Sequence, residues 1–166
     1  AVCGRDEMRT QMFASKYGVK AYTNVAEMVR KERLDIVTVC TPHPLHKTTT
    51  IDALKAGANV LIEKPLASSL EDCDEMLSAA KETGNQIGLV SQRRFYSPCL
   101  RVKNAIDTGK IGRPVLGTVF MFGWRDESYY KSDPWRGTWK GEGGGVLVNQ
   151  APHQIDLLQW FMGGEI

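Results

Sequence analysis

Three short apolar runs of strand length, residues 34–40, 59–62 and 87–90, alternate with segments of helical periodicity, and this alternation leaves the chain few ways to fold. The first run is β-branched through Ile36, Val37, Thr38 and Val39 and stops at Thr41-Pro42, where proline lacks the N–H that a ladder needs. Helical spacing follows from Leu45 to Ala56 and ends at Gly57. Residues 69–82 repeat the theme: Ser69 and Asp72 stand as capping residues, Met76, Leu77 and Ala80 fall on one face, and Gly84 lies beyond the end. Strands alternating with amphipathic helices predict an α/β chain with a parallel, doubly wound sheet, whose ligand sits beyond the carboxyl ends of the strands. Thr41, Glu63 and Gln92 stand at such ends.

The opening fits the same scheme. Ala1-Val2-Cys3 reads as the tail of a strand and residues 7–17 as a helix closed by Gly18. In a dinucleotide fold a glycine-rich turn precedes this strand end by about 20 residues, so the sequence reads as a fragment of a Rossmann-like sheet. The grammar changes after about residue 98. A helix is predicted over 100–108, a turn over 109–112 and a long strand over 114–124. Residues 126–145, rich in Gly, Trp, Arg and Lys, are either a binding loop or a disordered connector, and Trp124, Trp135 and Trp139 argue against disorder. A last helix, with Ile155, Leu158 and Phe161 at helical spacing, is expected to end at Gly163-Gly164. These readings divide the chain into a partial dinucleotide-binding domain, 1–97, and a partial second domain, 98–166.

Charge and cysteine usage remove several classes of function. A net charge of +2 without a basic block gives no footprint for nucleic acid. No stretch reaches the roughly 20 apolar residues of a membrane span, and no signal core follows the first residues, so the cytoplasm is the expected compartment. Cys3, Cys40, Cys73 and Cys99 are widely spaced and are expected to be reduced core thiols, neither disulfides nor metal ligands.

Three stretches carry candidate chemistry. Glu63-Lys64-Pro65 follows a strand directly, which holds a lysine at the ligand edge beside a carboxylate; a plain surface lysine is the alternative. Thr41-Pro42-His43-Pro44-Leu45-His46 offers a hydroxyl and two imidazoles, or simply a proline-rich helix entry, and without a Cys or carboxylate cluster it is not a zinc site. The run from Gly143 to Asp156 holds Asn149 and then His153, which opens a helix as a functional, capping or core histidine.

Taken in order, these stretches, with Gln92-Arg93-Arg94-Phe95 and Trp135-Arg136-Gly137 between them, resemble the glucose-fructose oxidoreductase and inositol dehydrogenase family over nearly the whole chain. The resemblance implies a second domain of α+β type with a mainly antiparallel sheet, a parent about twice as long, and homo-oligomerisation. It implies an NAD(P)-dependent dehydrogenase or reductase acting on a sugar, cyclitol or related polyol, with Lys64 as the catalytic lysine and His153 handling the hydroxyl proton. Arg5, Thr41, Pro42, His46, Glu63, Lys64, Gln92, Trp135 and Arg136 would line the cofactor. Lys64, Arg94, Asn149 and His153 would meet the substrate. Asn149 departs from the aspartate of many members; it hydrogen-bonds but cannot ionise, so substrate contact is its expected role. Gly4-Arg5 stands where an acid would grip the ribose of NAD, which tilts the choice toward NADP despite the neighbouring Asp6. Two other readings stay open: a glycoside hydrolase using tightly held NAD, and a non-catalytic sugar or cofactor sensor. The isolated fragment is expected to be inactive.

Overall fold

Capping chemistry sets where the helices of the first half begin and end. In the computed structural model, which describes residues 1–163, strand β1 (Val2–Cys3) leads to helix α1 (Glu7–Tyr17). Asp6 starts α1 by accepting from the Arg9 N–H at 2.9 Å, and Gly18 stops it in the left-handed region. Ser69 caps α4 (Leu70–Thr83) by accepting from the Asp72 N–H at 3.1 Å, and Gly84 ends it. Asp72, the other capping candidate, lies a turn inside and pairs with Lys47 Nζ at 2.6 Å.

Strand β2 (Ala21–Tyr22) pairs parallel with β1. Strands β3 (Ile36–Val39), β4 (Asn59–Ile62) and β5 (Ile87–Leu89) form a second parallel sheet in that order. Val39 stands opposite Ile62 and Ile62 opposite Leu89, so the chain leaves β3 and β4 at the same edge. The facing edges of β1 and β3 enclose a cavity of about 470 Å³ lined by Val2, Cys3 and residues 36–41. The sequence reading placed nothing over 21–32, where the structure has β2 and helix α2 (Val25–Glu32). Two residues are too few to show a period of two. Helix α2 did carry a signal, since Val25, Met28 and Val29 share one buried face.

Period-two alternation explains the core. Val37, Val39, Val60 and Ile62 point inward, whereas Ile36 and Leu61 are exposed on the other face. Ala53 and Leu54 of α3 (His46–Lys55), Met76 and Ala79 of α4, and the apolar face of α2 complete one cluster. Leu77, expected on the buried face of α4, is exposed, because Met76, Ala79 and Ala80 follow the 3.6-residue period more closely. The cysteines also depart from expectation. All four are free thiols, but Cys40 is exposed and the others are half-buried, with Cys3 and Cys73 packed at the margin of the core.

Residue contacts split the chain into two units, Ala1–Leu89 and Val90–Ile166. The second unit is helical. It contains α5 (Ser97–Asp107), the short helices α6 (Glu127–Lys131), α7 (Trp139–Glu142) and α8 (Val146–Asn149), and α9 (Pro152–Met162). Residues 126–145 are therefore built from short helices and turns. Gly163 ends α9 in the left-handed region; Gly164, the other expected stop, lies outside the described residues. Residues 114–124 form no strand among the described residues, because no segment lies beside them to complete a ladder. Gly117 rests against Leu158 and Met162 of α9, while Phe120, Phe122 and Trp124 are exposed. Among the described residues no helix is long and apolar enough to cross a membrane.

Candidate active site

The first unit brings several predicted residues to one sheet edge. The ends of β1 and β3 share a cavity of about 710 Å³ lined by Gly4, Arg5, Arg9, Thr41 and Pro42 among others. Thr41 Oγ1 is buried there with no hydrogen-bond partner among the described residues. A buried hydroxyl of this kind costs free energy until it is paired, so the cavity is chemically suited to a ligand rich in hydroxyls and phosphates. A dinucleotide fits that description, with the Arg5 and Arg9 side chains as cationic partners.

One strand along, Glu63 continues the ladder through its N–H to the Val39 carbonyl at 3.0 Å, and Lys64 follows with its N–H on Glu63 Oε2 at 3.2 Å. The Lys64-Pro65 peptide is cis. Cys40 lies close enough to Glu63 to feel its charge: desolvation first and that carboxylate second hold the thiol above its ordinary value. A thiol so placed is a poor nucleophile at neutral pH.

His46, expected to line the cofactor, is fully buried, with Nδ1 2.9 Å from the Pro65 carbonyl and Nε2 2.8 Å from the Thr41 carbonyl. Both ring nitrogens are thus engaged by backbone. Its work is to bridge the turn after β3 to the turn after β4, holding Thr41 and Lys64 in a fixed relation.

In the second unit, His153 occupies the first turn of α9, and Gln92 Nε2 lies 3.4 Å from its Nε2. One turn further along α9, Asp156 accepts two hydrogen bonds from Arg94, Nε at 2.8 Å and Nη2 at 2.6 Å. The same guanidinium stands 5.4 Å over the Trp160 ring. The 3₁₀ turn Gln92–Phe95 is thereby clamped to the helix that carries His153. Asp156 had a sequence signal, its spacing of three from His153; Trp160 had only its place on the helix.

Asn149, Trp135 and Arg136 meet in a separate cluster. Arg136 stacks on the rings of Tyr129 and Trp135, each 4.7 Å away, and its Nη1 donates to the Tyr129 hydroxyl at 3.0 Å. Asn149 Nδ2 donates to Glu142 at 2.6 Å, and both residues are buried. Gly141 permits this packing, since an added Cβ would come within 2.3 Å of the Trp135 carbonyl oxygen. A cavity of about 260 Å³ opens beside Thr138, Glu142, Asn149 and Gln150. Tyr129 and Glu142 were not anticipated, because nothing in the spacing of a four-residue helix marks Glu142 as buried. Among the described residues no group of three or more His, Cys, Asp or Glu is arranged to hold a metal ion.

Residues 1–90 match the model of an oxidoreductase family with an NAD-binding Rossmann fold, and residues 99–166 that of the GFO/IDH/MocA C-terminal domain. The 1,5-anhydro-D-fructose reductase of Ensifer adhaerens is 34% identical over 163 residues, covering 93% of this chain and 46% of the relative. The inositol 2-dehydrogenase of Rubrobacter xylanophilus is 29% identical, covering 100% and 45%. Among solved structures, the WlbA dehydrogenase of Bordetella pertussis in complex with NADH and UDP-GlcNAcA superposes with a TM-score of 0.87 at 34% identity, over 97% of this chain and 50% of that one. The chain spans about half the length of the curated relatives it matches.

Proposed function

The chain belongs to the GFO/IDH/MocA oxidoreductase family, and from that premise we propose that it forms the cofactor-holding and substrate-contacting part of an NAD(P)-dependent dehydrogenase or reductase. The substrate is the hydroxyl or carbonyl of a sugar, cyclitol or related polyol, in keeping with relatives named for anhydrofructose and inositol. The observation that carries this reading is the single sheet edge that holds Thr41, Pro42, Glu63 and Lys64, bridged by His46 and opening on a cavity with an unpaired buried hydroxyl. Domain limits of 1–97 and 98–166 go with it, and four free thiols suit the reducing cytoplasm.

A bound nicotinamide supplies the site that accepts or donates hydride. The residues of this chain hold charge and move a proton. The Lys64 ammonium stabilises negative charge developing on the substrate oxygen, and the His153 imidazole takes the hydroxyl proton as hydride departs. Gln92 orients the His153 ring, Arg94 fixes the turn that carries Gln92, and Asn149 hydrogen-bonds a substrate hydroxyl. Trp135 and Arg136 offer a flat cationic wall. Arg5 favours a 2′-phosphate and hence NADP, whereas the related WlbA dehydrogenase was solved with NADH, and a direct competition between the two reduced cofactors decides the point.

The test is reduction of NAD or NADP by the intact protein across a panel of sugars and inositols, with Lys64→Ala beside it. We expect turnover that falls by about 10²–10³ in the variant. Cofactor binding with no turnover on any polyol, indifferent to Lys64→Ala, overturns the reading in favour of a sensor.

A further inference from the structure

His46 meets two carbonyl oxygens with two ring nitrogens, and the number of protons on the ring decides how many of those contacts bind. Nδ1 lies 2.9 Å from the Pro65 carbonyl and Nε2 2.8 Å from the Thr41 carbonyl. A carbonyl oxygen only accepts, so each contact is a hydrogen bond only when the facing nitrogen carries a proton. A neutral ring carries one. As the Nδ1–H tautomer it holds the turn that carries Lys64; as the Nε2–H tautomer it holds the turn that carries Thr41. In either tautomer the other nitrogen points a lone pair at an oxygen, at a separation that leaves no room for a bridging water. Only the imidazolium donates to both.

We propose that His46 is a positioning residue whose second proton joins the Thr41 turn to the Lys64 turn, so that cofactor binding at this edge is coupled to proton uptake by a buried ring. The proposal rests on the cofactor role of Thr41 given above. Thr41 is the link to the ligand: its carbonyl is the partner of His46, while its hydroxyl is buried without a partner among the described residues and the residue lines the cavity of about 710 Å³. With one proton on the ring, one turn is held and the other is repelled; with two, both are held and the cavity keeps its wall. The groups that help or oppose the second proton come from the neighbouring elements. His43, in the turn His43–Leu45, stands edge to face with His46 at 5.7 Å between ring centroids, and a charge there opposes it. Cys40 comes from the exit of β3, and the Glu63 carboxylate, which helps, and the Lys64 ammonium, which opposes, come from the exit of β4. Lys47, next along α3, is paired with Asp72 and Glu75 of α4.

The intact protein, labelled with ¹⁵N-histidine, is titrated from about pH 5.5 to about pH 8.5 with and without NAD and NADP, and cofactor Kd is measured by calorimetry over the same range. The variant His46→Gln identifies the His46 signals and supplies a side chain that hydrogen-bonds without titrating. We expect both ring nitrogens to be protonated at the acid end, and Kd to be tighter there by about threefold to tenfold, the worth of one ordinary hydrogen bond. The change in Kd follows the His46 titration, and His46→Gln abolishes that part of it, leaving for NADP only the titration of its own 2′-phosphate. Coupling is reciprocal, so cofactor at fixed pH increases the doubly protonated fraction of His46. A ring that keeps one proton over the whole range overturns the proposal, as does a pH dependence of NAD binding that survives His46→Gln. If that variant does not fold, the reciprocal effect decides: no change in His46 protonation on adding cofactor overturns the coupling. Binding that is equal at every pH removes the coupling and leaves the cofactor reading standing, whereas failure to bind either dinucleotide at any pH removes both.

Discussion

His46 shows how a residue can matter to a site without facing it. Replacement by leucine leaves the Thr41 and Pro65 carbonyls without their ring partner at the two turns that carry Thr41 and Lys64. An imidazole with one N–H donates to only one of the two carbonyls, and a carbonyl left unsatisfied costs about 1–3 kcal/mol, so His46→Leu is expected to lower unfolding free energy in urea by about 1–3 kcal/mol and to reduce turnover as well. Asp156 acts at the same remove on His153. Asp156→Asn breaks the forked pair with Arg94, and because both side chains are partly exposed the loss of stability stays below about 2 kcal/mol. The larger effect is expected on kcat, and Arg94→Lys does not substitute for it, because an ammonium lacks the planar fork. Lys64, His153, Asn149 and Thr41 were legible as candidates because each sits beside an element boundary. Glu142 and Tyr129 were not, since their burial depends on how residues 126–145 close on themselves, which no periodicity encodes.

At the scale of elements, legibility followed local signals. Helices α1, α4 and α9 carry their own stop residues, and strands β3 to β5 carry β-branched letters next to such stops. Ser69→Ala, removing the hydroxyl that caps α4, is expected to cost about 1 kcal/mol in chemical denaturation. The pair β2–α2 offers a pH test. Lys20 first, then the Tyr22 hydroxyl, hold the Glu32 carboxyl below its ordinary value. A carboxyl with a lowered folded pKa contributes stability above its unfolded pKa and loses it as pH falls toward the folded one. Unfolding midpoints should therefore drop on acidification, and Glu32→Gln should flatten that drop. The expected strand over 114–124 failed for a different reason: alternation gives a segment strand character, but a ladder needs a neighbour, and pairing is not a property of the segment that pairs.

For the whole molecule, the fold class was readable because alternating strands and helices admit few topologies. Where the two units stand relative to each other is a matter of long-range packing, to which local sequence patterns are silent. Cofactor binding supplies a check at this scale. If the intact protein binds NADH or NADPH only when folded, a hundredfold excess over Kd stabilises it by about 2.7 kcal/mol, read as a raised unfolding midpoint. No change in the midpoint with either reduced cofactor would contradict the proposed role of the cavity at β1 and β3.

Gly4 has a bearing on how such a protein can be re-engineered. A Cβ at this position would come within 2.4 Å of Thr10 Oγ1, whose hydroxyl donates to the Asp6 carbonyl at 2.6 Å and helps hold the first turn of α1. Thr10 is stiff and buried, so it cannot turn aside without giving up that bond. A designer wishing to alter cofactor preference therefore cannot write an acidic letter at position 4. The choice is confined to Arg5, and a library randomised at both positions should return glycine at the first and diversity at the second.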